Sequence, residues 1–473
     1  SLASERDWER AGMVLSQRMW LLTPKLGYEG ERRTLRKENY PSEGFKYNEY
    51  LTGLKFEPAR SLVLNGEYTQ RLDRVLLGEW SKDSESKSYR AEVNVREYRN
   101  SLSSQLSYTK RKKKRFRDGR PDNEEDLIFT KLNYYHPRRG VRCDLFASVN
   151  QVESSPVVKS HLKVEPGSGN FRLENGEYLP DPYGDYVEIT EPVGEGRPSM
   201  EVITGLDLTL EPGKLGAVKS SLWSKLKLEF SLDSQSRFLN RKRWSPELLN
   251  PWHGSEGDSL QYRRVSLRND LYLYPGSPGQ EVRLRHKRSE RATSLGRGAL
   301  QEEAEIQYGV RFRQPLSGGY SAELEGGCET IAEELSDSKS LEVDSRLIGA
   351  KLIIKTKREL QWTLEENLQL DREKVADVRA TLLRSAPNVQ WDFSDQGRAD
   401  VTLAYSYVKV APEGSYLSYR MAQGNKPGDN FEVTVNAVYR LGKNLEASLN
   451  YDLRSFPSGE SRHFARLLTR AYF

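Results

Sequence analysis

The sequence predicts an all-β fold, a large antiparallel transmembrane β-barrel of about 20–24 strands with long extracellular loops. Three observations carry that reading. Apolar residues recur at every second position over long stretches, the chain is too polar for a large dry core, and the last residues form one more alternating strand that ends in Phe473.

The period is clearest towards the C-terminus. In 431–441, Phe431, Val433, Val435, Ala437, Tyr439 and Leu441 share one face, and Glu432, Thr434, Asn436, Val438 and Arg440 share the other. Gly442-Lys443-Asn444 marks a turn, after which Leu445, Ala447, Leu449, Tyr451 and Leu453 alternate with Glu446, Ser448, Asn450, Asp452 and Arg454. Successive strand side chains point to opposite faces, so each strand has an apolar and a polar wall. Stretches 338–356, 359–374 and 396–410 exceed ordinary globular strands, and about 9–11 tilted residues suffice to cross a bilayer.

The polar wall is charged in both signs along whole strands, as a hydrated lumen allows. Tyr405, Tyr407, Tyr416, Tyr419, Tyr439 and Tyr451 fall near predicted strand ends, where interfacial girdles are expected, and Tyr272 and Tyr274 before Pro275 fit the same idea. One charge, Glu366, interrupts the apolar face of Leu360, Trp362, Leu364, Leu368 and Leu370. A bulge, a register change or a strand continuing beyond the membrane is expected there.

Composition narrows the alternatives. Hydrophobic residues are 36% and charged residues 30%, with a mean hydropathy of −0.75. Such a chain is disordered, fibrous, or built so that few apolar residues cover a large surface. The 25 Tyr and 8 Trp argue against disorder. A barrel with a polar lumen and lipid-facing apolar residues fits. Lys and Arg total 73 against 68 Asp and Glu, so the net +5 is far from the footprint of a nucleic-acid binder. Two cysteines, Cys143 and Cys328, with no CxxC, exclude a disulfide framework and argue against structural zinc; both are expected unpaired. No stretch approaches the roughly 18 consecutive apolar residues of a transmembrane helix. The opening Ser1-Leu2-Ala3-Ser4-Glu5-Arg6-Asp7-Trp8 has no signal-peptide character and reads as a processed product, the C-terminal part of a longer precursor being one such product.

Three regions break the rhythm: the basic run 110–117 with the acidic 122–126 behind it, a Gly/Asp/Tyr-rich stretch, and 244–258. The domain reading is a single barrel over 1–473, an inserted loop at 164–192, and a candidate plug or lid at 244–258 carrying Trp244, Pro251, Trp252 and His253.

The C-terminus gives the sharpest signal. Ala465, Leu467, Thr469, Ala471 and Phe473 share one face, and Phe464, Arg466, Leu468, Arg470 and Tyr472 the other. A last strand ending in Phe resembles the strand by which outer-membrane proteins are handed to the barrel-assembly machinery. Leu467, Thr469, Ala471 and Phe473 are therefore read as a membrane-insertion signal. The stretch Tyr419-Arg-Met-Ala-Gln-Gly424-Asn-Lys-Pro-Gly428-Asp-Asn430, with Tyr451-Asp-Leu-Arg454, His463 and Ala471-Tyr-Phe473, resembles the end of large outer-membrane proteins of the Bacteroidetes–Chlorobi group. Arg6-Asp7-Trp8 is similar to another short motif of that group. Val164-Glu-Pro-Gly-Ser-Gly-Asn-Phe171, Asn175-Gly-Glu-Tyr178 and Asp181-Pro-Tyr-Gly-Asp-Tyr186 are similar to an insertion in such barrels, and distantly to one in the type 9 secretion translocon. The resemblance implies fold and an outer-membrane location and supplies no catalytic residues.

Candidate sites are few. Asn175, Glu177, Asp181, Gly184 and Asp185 offer oxygens for Ca²⁺, but the DxDxDG ladder is missing and tight turns account for them, so no metal is expected. The basic run 110–117 suits lipopolysaccharide phosphates; the simpler reading is a hairpin end neutralised by the acidic run on its partner strand. His463 reads as structural or interfacial. GxSxG, HExxH and P-loop motifs are absent, so no enzyme and no cofactor are expected. The function expected is transport or translocation of polar cargo, with a structural barrel anchoring a larger surface complex as the alternative. Expected partners are outer-membrane lipid and lipopolysaccharide, the barrel-assembly machinery, and a partner subunit or missing N-terminal domain, with no nucleic acid. A soluble all-β binding protein is disfavoured by the long two-faced strands and the terminal Phe473.

Overall fold

The computed structural model describes all residues except 1–3, 38–42, 118–122, 156, 165–168, 175, 194–196, 216–221, 240–248, 251–259, 275–278, 295–299, 336–339, 358, 395, 443, 458, 460 and 472–473. The described residues form strands and short 3₁₀ turns and no α-helix. In chain order the strands are β1 (Ser4–Ser16), β2 (Leu22–Lys37), β3 (Glu43–Ala59), β4 (Leu62–Leu77), β5 (Glu79–Tyr98), β6 (Leu102–Arg115), β7 (Asn123–His136) and β8 (Val141–Ser154). Then come β9 (Val157–Lys163), β10 (Gly169–Glu174), β11 (Glu177–Gly184), β12 (Tyr186–Pro192), β13 (Arg197–Leu210), β14 (Leu226–Leu239), β15 (Leu260–Leu273) and β16 (Glu281–Ser294). The last are β17 (Leu300–Pro315), β18 (Tyr320–Leu335), β19 (Ser340–Lys357), β20 (Leu360–Glu373), β21 (Val378–Ser394), β22 (Gly397–Ala411), β23 (Gly428–Arg440), β24 (Leu445–Ser455) and β25 (Ser461–Ala471). Among the described residues, 21 strands belong to one large sheet and β9–β12 to a separate four-stranded sheet. This is the expected fold class, all-β with the large antiparallel sheet of a barrel.

The chain divides into two compact units: 1–154 with 196–209 and 231–262, and 155–195 with 210–230 and 263–473. In the first, β1 to β8 pair antiparallel, each with its neighbour in sequence. β8 then pairs with β13, so the chain between them leaves this wall and returns to the strand position beside it. The basic run lies on β6 opposite its acidic partner on β7, with Lys110↔Asp126, Arg111↔Glu125 and Lys112↔Glu124 in register. Lys110 reaches Glu124 at 2.5 Å and Arg111 approaches Glu125 at 3.8 Å. Opposite charges across neighbouring strands stabilise the pairing by roughly 0.2–1 kcal/mol each.

In the second unit, β16 to β25 also pair neighbour to neighbour. Register turns the period-2 sequence into continuous rows. One row runs Tyr320, Ile354, Trp362, Val389, Val401, Val435, Tyr451, Ala465, from β18 to β25. The next row runs Lys355, Gln361, Gln390, Asp400, Asn436, Asn450, Arg466. One residue along the chain thus separates an apolar wall from a polar one, because the pleat sends alternate side chains to opposite faces. The apolar face is open: Ile348 is 66% and Leu403 51% exposed. Apolar surface on this scale marks contact with lipid or a partner rather than water.

Two of the three readings of Glu366 and part of the tyrosine reading are corrected. No bulge or register change accompanies Glu366; Ala350↔Glu366 and Glu366↔Ser385 lie in unbroken register, and Ser385 Oγ donates to the Glu366 carboxylate at 2.6 Å. Nor do all the tyrosines sit on the apolar face. Tyr405, Tyr407 and Tyr439 do and are exposed, whereas Tyr272 lies under the Arg283 guanidinium on the charged face, 5.3 Å from its ring centre. Tyr416 and Tyr419 are not on strands at all.

The stretch read as an inserted loop, 164–192, contributes to the small sheet, in which β12 pairs with β9 and β10 with β11. Aromatic rings meet across its strands. His161 stacks on Tyr178 with centroids 3.9 Å apart and meets the edge of Phe171 at 4.9 Å, and Tyr178 meets Tyr186 at 5.0 Å. Gly184 is required here: a Cβ on it would lie 1.9 Å from the Phe171 carbonyl oxygen.

Candidate functional site

Consecutive strands from β16 to β25 are mostly separated by few residues, but β22 and β23 are separated by 412–427, entered through a cis Ala411–Pro412 peptide. This segment folds onto the charged face of the wall. Met421 and Ala422 are fully buried in an apolar cluster with Val343, Val378, Ala380, Leu382 and Val408, all on that face. The contrast along β21 is direct: Leu382 is 0% exposed beneath the segment, and Leu383, on the opposite face, is 50% exposed.

Around that apolar seat the segment is held by polar contacts to distant strands. The Ala422 backbone N–H donates to Asp371 at 2.6 Å, and Gln423 Nε2 donates to Gln369 Oε1 at 2.9 Å. Gln369 Nε2 in turn donates to Asp371 at 2.9 Å. Tyr419 Oη donates to Glu333 Oε2 at 2.5 Å. Arg420 donates through Nε to Glu333 at 2.7 Å and through Nη2 to Glu303 at 2.6 Å. Burial, then the Glu333 hydrogen bond, push the Tyr419 phenol well above its usual range, so it remains an O–H donor. Burial opposes the Arg420 charge, but Glu333, Tyr419 and Glu303 outweigh it and hold the guanidinium protonated. Charge-assisted bonds of this kind are about twice as strong as neutral ones.

The end of the segment is also fixed. Asn430 Nδ2 donates to the carbonyls of Lys426 at 2.8 Å and Gly428 at 3.0 Å, and the Lys426 N–H donates back to Asn430 Oδ1 at 3.2 Å. Ala422 and Gln423 hold positive φ, 49° and 53°. Side-chain-bearing residues rarely adopt that backbone, and it persists where surrounding contacts over-determine it, often at functional sites.

Beside the segment the wall carries opposed charges. Arg283 grips Asp270 with both Nε, at 3.0 Å, and Nη2, at 2.9 Å, and Arg285 joins it at 3.0 Å. Lys287 reaches Glu305 at 2.5 Å. Arg283, Arg285, Arg311, Glu325 and Glu329 line a cavity of about 500 Å³ together with Tyr419 and Arg420.

The residues named from sequence are placed as follows. Leu467, Thr469 and Ala471 lie on β25 opposite Leu449, Ala447 and Leu445, and Phe473 lies outside the described residues. Trp244, Pro251, Trp252 and His253 also lie outside them. Asp181 stands 3.5 Å from Arg462 and 4.0 Å from Arg172, which makes it an ion-pair partner. His463 Nδ1 and Tyr451 Oη are 2.9 Å apart. Cys143 and Cys328 are free thiols. Sequence reasoning missed 412–427 as a site. The available signals were a connection too long for a hairpin turn and the Tyr419–Asn430 motif, read only as a resemblance.

No protein-family model matches the chain, and no curated protein is similar to it in sequence. Solved structures with some likeness include the siderophore receptor PirA from Pseudomonas aeruginosa, 11% identical with a TM-score of 0.35, covering 98% of this chain and 76% of that one. PirA from Acinetobacter baumannii is 9% identical with a TM-score of 0.38, over 99% and 78%. The outer membrane channel DcaP of Acinetobacter baumannii is 10% identical with a TM-score of 0.30, over 69% and 97%. Likeness at this level assigns this chain neither cargo nor mechanism.

Proposed function

We propose that this chain is an outer-membrane β-barrel that carries polar cargo through a hydrated lumen, with 412–427 as a resident plug. One observation carries the reading: the adjacent apolar and polar rows of β18–β25, with 412–427 folded onto the polar side. Lipid accepts the apolar face and water the charged one. A wall bearing both signs passes polar solutes without binding one sign tightly. No enzymatic role is part of this reading.

The test has two steps. The detergent-extracted chain is run boiled and unboiled, and a barrel migrates faster unboiled. It is then reconstituted in planar bilayers, intact and with 412–427 replaced by a short Gly-containing turn. Transport requires conductance that rises on replacement, and silence in both forms would count against it. Deletion of 244–258, the other candidate plug, is run in parallel.

A structural barrel anchoring a larger surface complex is the second reading, favoured by the number of contacts that hold 412–427 in place. It requires co-purification of a stoichiometric partner. Membership of the Bacteroidetes–Chlorobi group, contact with lipopolysaccharide, and delivery of the Leu467–Thr469–Ala471–Phe473 strand by the assembly machinery belong to either reading.

A further inference from the structure

The apolar face of β19–β22 ends in a belt of cations. Register sets Arg346, Leu370, Thr381 and Lys409 side by side in one row, next to the apolar row Ile348, Leu368, Leu383 and Tyr407. One row further out, Asp344, Arg372, Arg379 and Ala411 stand side by side. Alternation puts these cations on the face opposite Val343, Val378, Ala380 and Val408, which pack against Met421 and Ala422. The belt lies at the strand ends that 412–427 connects, and long connections lie mainly on the extracellular side of such barrels.

Part of the belt is already paired. Lys374 meets Glu342 at 2.5 Å and Asp344 at 3.1 Å, and Arg372 meets Asp377 at 2.9 Å. Thr330 Oγ1 also donates to Asp344, at 2.9 Å. Those contacts occupy the carboxylates that β19 and the turn 374–377 bring to this end of the face. Arg346, Arg379 and Lys409 are different. All three are exposed, and among the described residues none has an ion-pair or hydrogen-bond partner. Only the field of Asp344 reaches Arg346.

Beside Arg346 the apolar face is notched. A groove of about 610 Å³ is lined by Leu284, Tyr308, Val310, Gly326, Arg346 and Ile348. Gly326 makes the notch, standing between Val310 and Ile348 in its row. A Cβ on Gly326 would meet nothing closer than Val310 Cγ1 at 3.7 Å, and its φ is not in the left-handed region. Neither space nor backbone requires glycine there, so the missing side chain leaves room for an atom from outside the chain. Beside a lipid-facing wall, an acyl chain is the apolar occupant at hand.

We propose that the belt and the groove form one site for lipid A, the bisphosphorylated, acylated glycolipid anchor of lipopolysaccharide, with its phosphates on Arg346, Arg379 and Lys409 and one acyl chain beside Gly326. Guanidinium and ammonium groups at the edge of an apolar band match lipid phosphates. Three strand steps of about 4.8 Å each separate Arg346 from Lys409, so the belt can meet two phosphates carried at opposite ends of a disaccharide. A phospholipid brings only one. The inference rests on the barrel reading and adds to it a specific lipid and its seat.

The full chain, purified in non-ionic detergent and shown folded by unboiled migration, is titrated with bisphosphoryl lipid A, phosphatidylglycerol and phosphatidylcholine, and bound lipid is read by native mass spectrometry. Lipid A binds at least about tenfold tighter than either phospholipid, and rising salt weakens it. The triple variant Arg346→Gln, Arg379→Gln, Lys409→Gln lowers its affinity about tenfold or more. Arg379→Gln alone lowers it less and serves where the triple variant does not fold. Gly326→Leu, which leaves every charge in place, also lowers it, whereas Lys355→Gln on the polar face does not. Phosphatidylglycerol binding as tightly as lipid A, or a folded triple or Gly326→Leu variant binding lipid A undiminished, overturns the proposal. Failure of the barrel reading shows separately, as identical migration of the boiled and unboiled chain.

Discussion

The backbone N–H of Ala422 ends on the carboxylate of Asp371 at 2.6 Å, with Ala422 at 0% and Asp371 at 3% exposure. A connection between neighbouring strands is thereby fastened to a strand outside its own hairpin. Asp371→Leu removes the acceptor and strands a buried donor, which costs about 1–3 kcal/mol. Trypsin, whose target in the segment is the Arg420–Met421 bond, is expected to cut it severalfold faster while the barrel still migrates as folded. Unchanged cleavage would mean that the apolar seat alone holds the segment.

Arg420 donates to Glu333 through both Nε and Nη2 and to Glu303 through Nη2, all from one planar group. Arg420→Lys should therefore behave much like Arg420→Met, since an ammonium cannot reproduce the fork. Both are expected to raise single-channel conductance above that of the intact chain. A lysine variant that conducts as the intact chain does would show that charge suffices without geometry.

Val401 and Asp400 are neighbours in β22 but belong to opposite walls. Val401→Lys places a charge on the apolar face, where the cost is about 2–4 kcal/mol near the bilayer midplane. Asp400→Lys places the same residue on the polar face and is expected to cost little. The folded fraction on unboiled gels should fall sharply for the first and hold for the second; equal losses would remove the lipid-facing assignment.

Cys328 is an exposed thiol on the apolar face, opposite Tyr308 on one neighbour and Arg346 on the other. In membranes it is expected to resist a sulfonated maleimide and to react once the chain is denatured in detergent. Rapid labelling in intact membranes would place this part of β18 in water.

Much of the wall was legible because strand side chains repeat locally. The stretches 396–410 and 431–441 lie within a few residues of β22 and β23, and their faces are the ones alternation assigned. The pairing of Lys110 and Arg111 with acidic partners was equally local, since β6 and β7 follow one another in the chain. Segment 412–427 was not legible in that way. Its partners Glu303, Glu333 and Asp371 come from three other strands, and nothing in its own periodicity names them. Tyr419 was misplaced for the same reason: a tyrosine near a strand end reads as a girdle residue until its hydroxyl is seen on Glu333. Glu366 needed no irregularity because Ser385, across the strand pair, satisfies its carboxylate.

The chain leaves after β8 and resumes beside it as β13. Everything between those strands is therefore a cassette, exchangeable by recombination at two adjacent points without reordering any other strand. Because β10 and β11 line a cavity of about 860 Å³ together with 412–427, such an exchange alters the lining of that cavity while the other wall strands keep their neighbours. A change of length or sequence confined to that one contiguous stretch leaves the order of the wall strands as it is.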